Sequence, residues 1–324
     1  MNADKAILYG IDPGSSKAWI GYVGQLDLAN RSVTCCSQRS WNIADLGRLI
    51  EEISQHVSTH GRVLVSLDAP INRPIEFNPP GIDEESTAAY PFNVNPFSTR
   101  PCEKALTSKP TRQLESLEHQ DIVGGIARLC QWNGDHRNAE NRSFADIHHG
   151  VNVRGYMGAP HGPVVDLFRT QLKAALGESH ICLSISPREA TTPRPCHVYL
   201  LESHPAVAMA VLARGGCLET IRRICQYKGN NEPNVQAHFT LLRDEVVRYS
   251  ATVDDGLACH PESDDELDAF VGFLNLVELL KGQGDWFGNI DYGYFLIRRV
   301  FDRSIGEVWE TAFARAKQAA ERQL

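Results

Sequence analysis

Apolar and polar positions along the chain fall into two periods, one of strands and one of helices. Residues 6–12 form an apolar run closed by Asp12, the pattern of a strand buried on both faces. Over residues 19–28, Trp19, Gly21 and Val23 alternate with Ile20, Tyr22 and Gly24, and residues 32–41 read as a third strand. The connections are short enough for an antiparallel meander. Ile43, Leu46, Leu49, Ile50, Ile53 and Val57 then recur at helical spacing. The spacing predicts an amphipathic helix over 43–57, ended by Gly61, and a further strand over 63–67. The order is strand, strand, strand, helix, strand.

From Pro70 to about Pro163 the character changes, because Pro74, Pro79, Pro80, Pro91, Pro96, Pro101 and Pro110 interrupt any regular pattern. One helix, over about 114–129, is expected inside this stretch. Long structureless segments in compact domains are often lids or binding segments, so about 71–163 reads as an insertion over the sheet edge. A helix over 164–176 brings the chain back, followed by a short strand at 181–185 and a strand ending at Glu202. Helices are expected at 206–214, from about 218, at 235–249 and at 264–281. A glycine- and aromatic-rich turn region follows at 282–294, then a last helix from about 305. The domain reading is one α/β domain over 1–281, interrupted at about 71–163, with a helical C-terminal extension over 282–324. No internal repeat is found.

The strands share an ending. Asp12 closes the first, Asp68 the strand at 63–67, and Glu202 the strand at 198–201, each followed by turn residues. If those strands are parallel, the three carboxylates emerge at one sheet edge, where α/β proteins place their chemistry. A fourth acidic piece, Ser263-Asp264-Asp265-Glu266-Leu267-Asp268, opens a helix. Ser263 and Glu266 form a capping box, and the helix dipole favours Asp264 and Asp265 in the first turn. Asp268 lies beyond that turn, beside the stripe of Leu267, Phe270, Val271, Leu274 and Glu278. A carboxylate at the margin of a core-facing stripe is costly without a partner. Taken singly, Asp12 and Asp68 are explained as turn formers, and Glu202 less easily. Together they point to a cluster that needs a cation, and oxygen-only ligands suit Mg²⁺ or Mn²⁺.

Composition narrows the class. At 324 residues the chain can bury a full core, and no apolar run approaches the roughly 18 residues of a membrane span. Met1-Asn2-Ala3-Asp4-Lys5 leads straight into a strand, without the layout of a signal peptide. Nine cysteines with no Cys-x-x-Cys pair point to reduced thiols in a cytoplasmic protein, and Cys35-Cys36 reads as a strand pair. A net charge of −8 argues against a broad basic nucleic-acid surface. His136, His148, His149 and His161 show no zinc-ligand spacing and read as structural or surface residues.

The motifs carry a family resemblance. Three strands, a helix and a strand, with Asp ending the first strand and carboxylates on a late helix, resemble the ribonuclease H-like fold, a mixed sheet flanked by helices. Gly10-Ile11-Asp12-Pro13-Gly14 is similar to the first motif of its Holliday-junction resolvase branch. With Ser66 to Pro70, Glu202-Ser203-His204-Pro205 and Asp264 to Ala269, the chain more closely resembles the domain-of-unknown-function family 429, predicted nucleases of that fold. Arg100-Pro101-Cys102-Glu103 and Tyr227-Lys228 are similar to its arginine–acid and aromatic–lysine motifs. The resemblance spans roughly residues 6–280 and lies in the order of short motifs.

The resulting expectation is a metal-dependent nuclease. Asp12 would bridge two Mg²⁺ or Mn²⁺ ions, Asp68 or Glu202 would hold one, and Asp268 with Asp265 or Asp264 the other. Lys228 and Arg100, with Lys17 as a further candidate, would meet the substrate phosphate, and His204 would position water. Two alternatives compete with this expectation. An actin-like or sugar-kinase-type phosphotransferase would use Asp12 to Lys17 as a phosphate loop for ATP, although Asp68 is followed by Ala-Pro and not by glycine. A non-catalytic protein on the same fold would bind a partner through the insertion. DNA, RNA and small phosphoesters are not distinguished, and oligomeric state is open.

Overall fold

Strand β1 (Lys5–Asp12) lies within a six-stranded mixed sheet. It pairs antiparallel with β2 (Trp19–Asp27), which pairs antiparallel with β3 (Ser32–Trp41). On its other side it pairs parallel with β4 (Arg62–Leu67). Strand β6 (His197–Glu202) continues parallel to β4, and β5 (Ile181–Cys182) parallel to β6. The order across the sheet is β3-β2-β1-β4-β6-β5. The computed structural model describes residues 5–14, 18–69, 71, 162–182, 197–212, 223–224, 227–228, 233–289 and 293–299. Most of the insertion expected at 71–163, including the helix at 114–129, lies outside them, as do Lys17, Arg100 and the helix from about 305.

Helices cover both faces. Helices α1 (Leu46–His60) and α2 (Gly162–Leu176) pack on one, α3 (Pro205–Leu212), α4 (Pro233–Val253) and α5 (Asp264–Leu280) on the other. Helix α1 is entered through a 3₁₀ turn at Ile43–Asp45, where the Asn42 side chain accepts from the Ala44 N–H at 3.0 Å. It ends at Gly61, whose φ of 77° is a backbone conformation that disfavours other residues.

Strand parity sorts the side chains. Ile7, Tyr9 and Ile11 join the core under α1 and α2, with Val63, Val65, Leu67, Val198 and Leu200. Ala6, Leu8, Leu64, Tyr199 and Leu201 join the other core, under α5. Helix α5 is buried at every position from Leu267 to Leu280, between the sheet on one side and α3, α4 and the C-terminal strands on the other. A helix apolar nearly all round is explained by being enclosed.

The glycine- and aromatic-rich stretch expected as a turn region is a β-hairpin, β7 (Gly284–Asn289) with β8 (Gly293–Arg298). Phe295, Leu296 and Ile297 are buried, and Leu296 bridges to Ser203 beyond the end of β6. Glycine spacing hid the strand alternation. A segment before α5 runs along β3: Asp254 Oδ2 accepts from the Val33 N–H at 2.8 Å and pairs with Lys281 Nζ at 2.8 Å. Further along, the thiol sulfurs of Cys36 and Cys259 are 2.8 Å apart with no covalent bond between them. Among the described residues, no helix is long and apolar enough to cross a membrane.

Candidate active site

Strands β1, β4 and β6 pair in parallel, which brings the strand-end acids to one edge. The ladder runs past the strand ends, with Asp68 N–H donating to Ile11 O at 3.0 Å and Ser203 N–H to Leu67 O at 2.9 Å. Asp12 therefore neighbours Asp68 at the C-terminal ends of β1 and β4. Asp12 continues the parity of Ala6, Leu8 and Gly10, the face on which α5 lies. The acidic end of α5 begins at this edge, because Ala269 and Phe273 of the helix back directly onto Gly10.

Helix α5 is capped as its sequence predicts, with a shift of one residue in the return contact. Ser263 Oγ accepts from the Glu266 N–H at 3.2 Å, and the Glu266 carboxylate accepts from the Glu262 N–H at 2.6 Å. Asp264 and Asp265 occupy the first turn. One turn on, Asp268 is only 1% exposed. The partner its burial demands is double: Tyr227 OH donates to Asp268 Oδ1 at 2.5 Å, and Lys228 Nζ forms an ion pair with Oδ2. Both carboxylate oxygens are thus engaged.

The electrostatics are those of too many acids around one ammonium. Burial raises the Asp12 carboxyl well above its usual range; Lys228 opposes this, while Asp68, Asp268 and Asp265 add to it. Asp68 is pushed up to about 7 by burial, again against Lys228 and with Asp268, Glu202 and Asp265 adding. Asp268 is raised by burial despite Lys228 and Tyr227. Burial on its own would lower Lys228, but Asp268, Tyr227, Asp68 and Asp12 outweigh it and hold the side chain as an ammonium.

Glu202 is placed differently from the other acids. It follows the parity of Val198 and Leu200, toward the face covered by α1 and α2, and its Oε2 accepts from the Ile71 N–H at 3.0 Å. Arg169 of α2 donates to the Ile71 carbonyl at 3.1 Å. The residue at which the chain leaves the sheet is thereby clamped on both sides, by Glu202 and by the helix that returns. Glu202 still contributes to the potential at Asp68. His204 caps α3, its carbonyl accepting from Ala208 N–H at 2.9 Å, and its ring packs edge-on against Phe295 at 5.4 Å. Lys228, expected on substrate phosphate, is committed to Asp268. Tyr227 is the residue whose part in the site sequence reasoning missed. The sequence marked it only as the aromatic half of the Tyr227-Lys228 pair and gave it no contact with Asp268.

The chain matches no family model, no curated protein and no solved structure. The site is read from its own chemistry.

Oxygen-only donors and an excess of negative charge suit a hard divalent cation. Convergence is the weaker part of the fit: among the described residues, no group of three or more His, Cys, Asp or Glu is arranged around a single point. On the α5 side the cause is visible, since Tyr227 and Lys228 hold both oxygens of Asp268. On the strand side, the pKa values of Asp12 and Asp68 are raised first by burial and then by the neighbouring acids, with Lys228 opposing both.

Proposed function

We propose that this protein is a nuclease of ribonuclease H-like type, hydrolysing phosphodiester bonds at the carboxylate edge of its sheet. One observation carries the reading: Asp12 and Asp68, on neighbouring parallel strands, share a single electrostatic cluster with Asp268 of the enclosed helix α5. Turn formation explains either strand-end acid alone, but not their meeting with a buried acid from more than 190 residues further on in sequence. The β3-β2-β1-β4-β6-β5 order, with its antiparallel meander and parallel remainder, supports the fold assignment. The motif order supports kinship with family 429.

Asp12 and Asp68, with Asp265 beside them, are the residues that would hold Mg²⁺ or Mn²⁺. Such an ion, when bound, supplies Lewis acidity toward a phosphoryl oxygen. The chain's own residues do the rest. Asp12 and Asp68 are each partly exposed among the described residues, whereas Asp268 is fully buried. Tyr227 and Lys228 fix the Asp268 carboxylate and lower the negative potential that would otherwise repel an anionic substrate. Glu202 and Arg169 anchor the start of the segment that follows β4, fixing the chain beside Asp68.

The test is cleavage of single- and double-stranded DNA and RNA with Mn²⁺, by the native protein and by Asp12→Asn. The reading expects cleavage by the native protein and none by a variant whose near-ultraviolet circular dichroism is unchanged. Cleavage at the native rate by Asp12→Asn would remove it.

A second reading, a partner-binding protein on the same fold, is favoured by the absence of a converged donor group among the described residues. It expects no saturable Mn²⁺ binding.

A further inference from the structure

A carboxylate in a two-ion site must offer at least one oxygen to a cation. Asp268 has neither unshared: Oδ1 accepts from the Tyr227 hydroxyl at 2.5 Å, and Oδ2 pairs with the Lys228 ammonium. Nor can Asp268 turn aside to find room. It sits on a helix enclosed over its whole length beyond the first turn, with its side chain 0% exposed. We propose that Lys228 is the built-in second cation of this site, so that the site takes one divalent ion, on the Asp12–Asp68 side, where the sequence pattern called for two. This rests on the metal-dependent reading given above and fixes its stoichiometry.

The physical case is one of occupancy. An ion placed against Asp268 would have to share the carboxylate with the Lys228 ammonium or displace it, and a displaced ammonium would lose its ion-pair partner. It would also stand within ion-pair range of the group it displaced, in surroundings where like charges repel more than they do in water. Lys228 does more than neutralise Asp268, because Asp68 and Asp12 lie within its field as well. An ammonium in that position does part of what a second ion does, drawing the acids together and offsetting their charge. It cannot leave by diffusion, and chelators do not remove it. At Asp12 and Asp68 no fixed cation forms an ion pair among the described residues, and there a hard divalent ion has oxygen donors to meet.

Binding, not turnover, is the readout. Calorimetric titration with Mn²⁺ alone gives the number of ions per chain, and electron paramagnetic resonance shows whether bound Mn²⁺ ions are close enough to couple. The proposal expects one ion per native chain with an uncoupled spectrum, and loss of that ion in Asp12→Asn. Lys228→Met, which keeps the stem and removes the charge, is expected to bind a second ion with the spectrum of a coupled pair. Lys228→Arg is expected to stay at one. Two ions per native chain, or a single ion in a folded Lys228→Met, overturns the proposal and leaves the nuclease reading standing. No Mn²⁺ on the native protein overturns both. If Lys228→Met does not fold, two ions on the native chain still overturn the proposal.

Discussion

A Cβ atom placed on Gly10 would lie 2.2 Å from the backbone nitrogen of Phe273 and 2.3 Å from the carbonyl oxygen of Ala269. Strand β1 and helix α5 thus touch backbone to backbone, and that contact sets the level of Asp268 relative to Asp12. Because the obstructing atoms are main chain, no side-chain rotation relieves the clash. Gly10→Ala is expected to cost roughly 3 kcal/mol or more, at the upper end of overpacking penalties. Urea unfolding measures it, and a midpoint equal to that of the native protein would show that the helix does not lie this close.

Carboxylates that share too little positive charge destabilise the protein that holds them. Asp12 is pressed by burial and by Asp68, Asp268 and Asp265, so replacing it with the neutral isostere removes a cost. In a chelator, Asp12→Asn is expected to be more stable than the native chain by roughly 1–2 kcal/mol, the size of gain seen when function and stability compete. Thermal unfolding in EDTA reads this as a rise in Tm of a few degrees. A fall in Tm would mean that Asp12 is held by partners that satisfy it as an anion.

Asp254 behaves in the opposite sense. Burial by itself would raise its pKa, but Lys281 and the N–H groups of Gly256 and Val33 outweigh burial and hold it below the usual value. A carboxyl with a depressed folded pKa contributes stability above its unfolded pKa, about 3.9, and loses it as pH falls through the folded value. Asp254→Asn is therefore expected to lose about 2 kcal/mol at pH 7, in the range for hydrogen bonds to charged groups. The gap to the native protein should close below about pH 4. Tm measured from pH 7 to pH 2.5 checks both, and a gap that stays constant would contradict the assignment.

What the sequence disclosed depended on whether a local period was present. The meander, α1 and β4 were legible because Ile7 to Asp12 and Leu46 to Val57 obey one period each, and the structure keeps them within a few residues. Asp268 was legible by cost, since a charge beside Phe270 and Val271 demanded a counter-charge somewhere. Its partners were less legible, because Tyr227 and Lys228 belong to no periodic segment and reach Asp268 across 41 residues in the case of Tyr227. Glu202 illustrates a different limit. Its place at a strand end was correct, but the side of the sheet it faces depends on parity relative to α5, and nothing local tells which face that helix covers. The hairpin at Gly284–Arg298 was hidden because Gly284, Gly288 and Gly293 read as turns while they sit within paired strands. Gly10 was read within the first strand and the motif that closes it, but its reason for being glycine is a helix some 260 residues away in sequence.

Cys36 and Cys259 stand 223 residues apart in sequence with their sulfurs 2.8 Å apart. A mild oxidant that takes two electrons and two protons from this pair would tie the edge strand to the segment leading into α5, closing most of the polypeptide into a ring. Rings of that length lose much of their unfolded freedom. Samples handled without a reductant would then hold two covalent forms of one fold, distinguishable by thiol counting and by the heat each withstands.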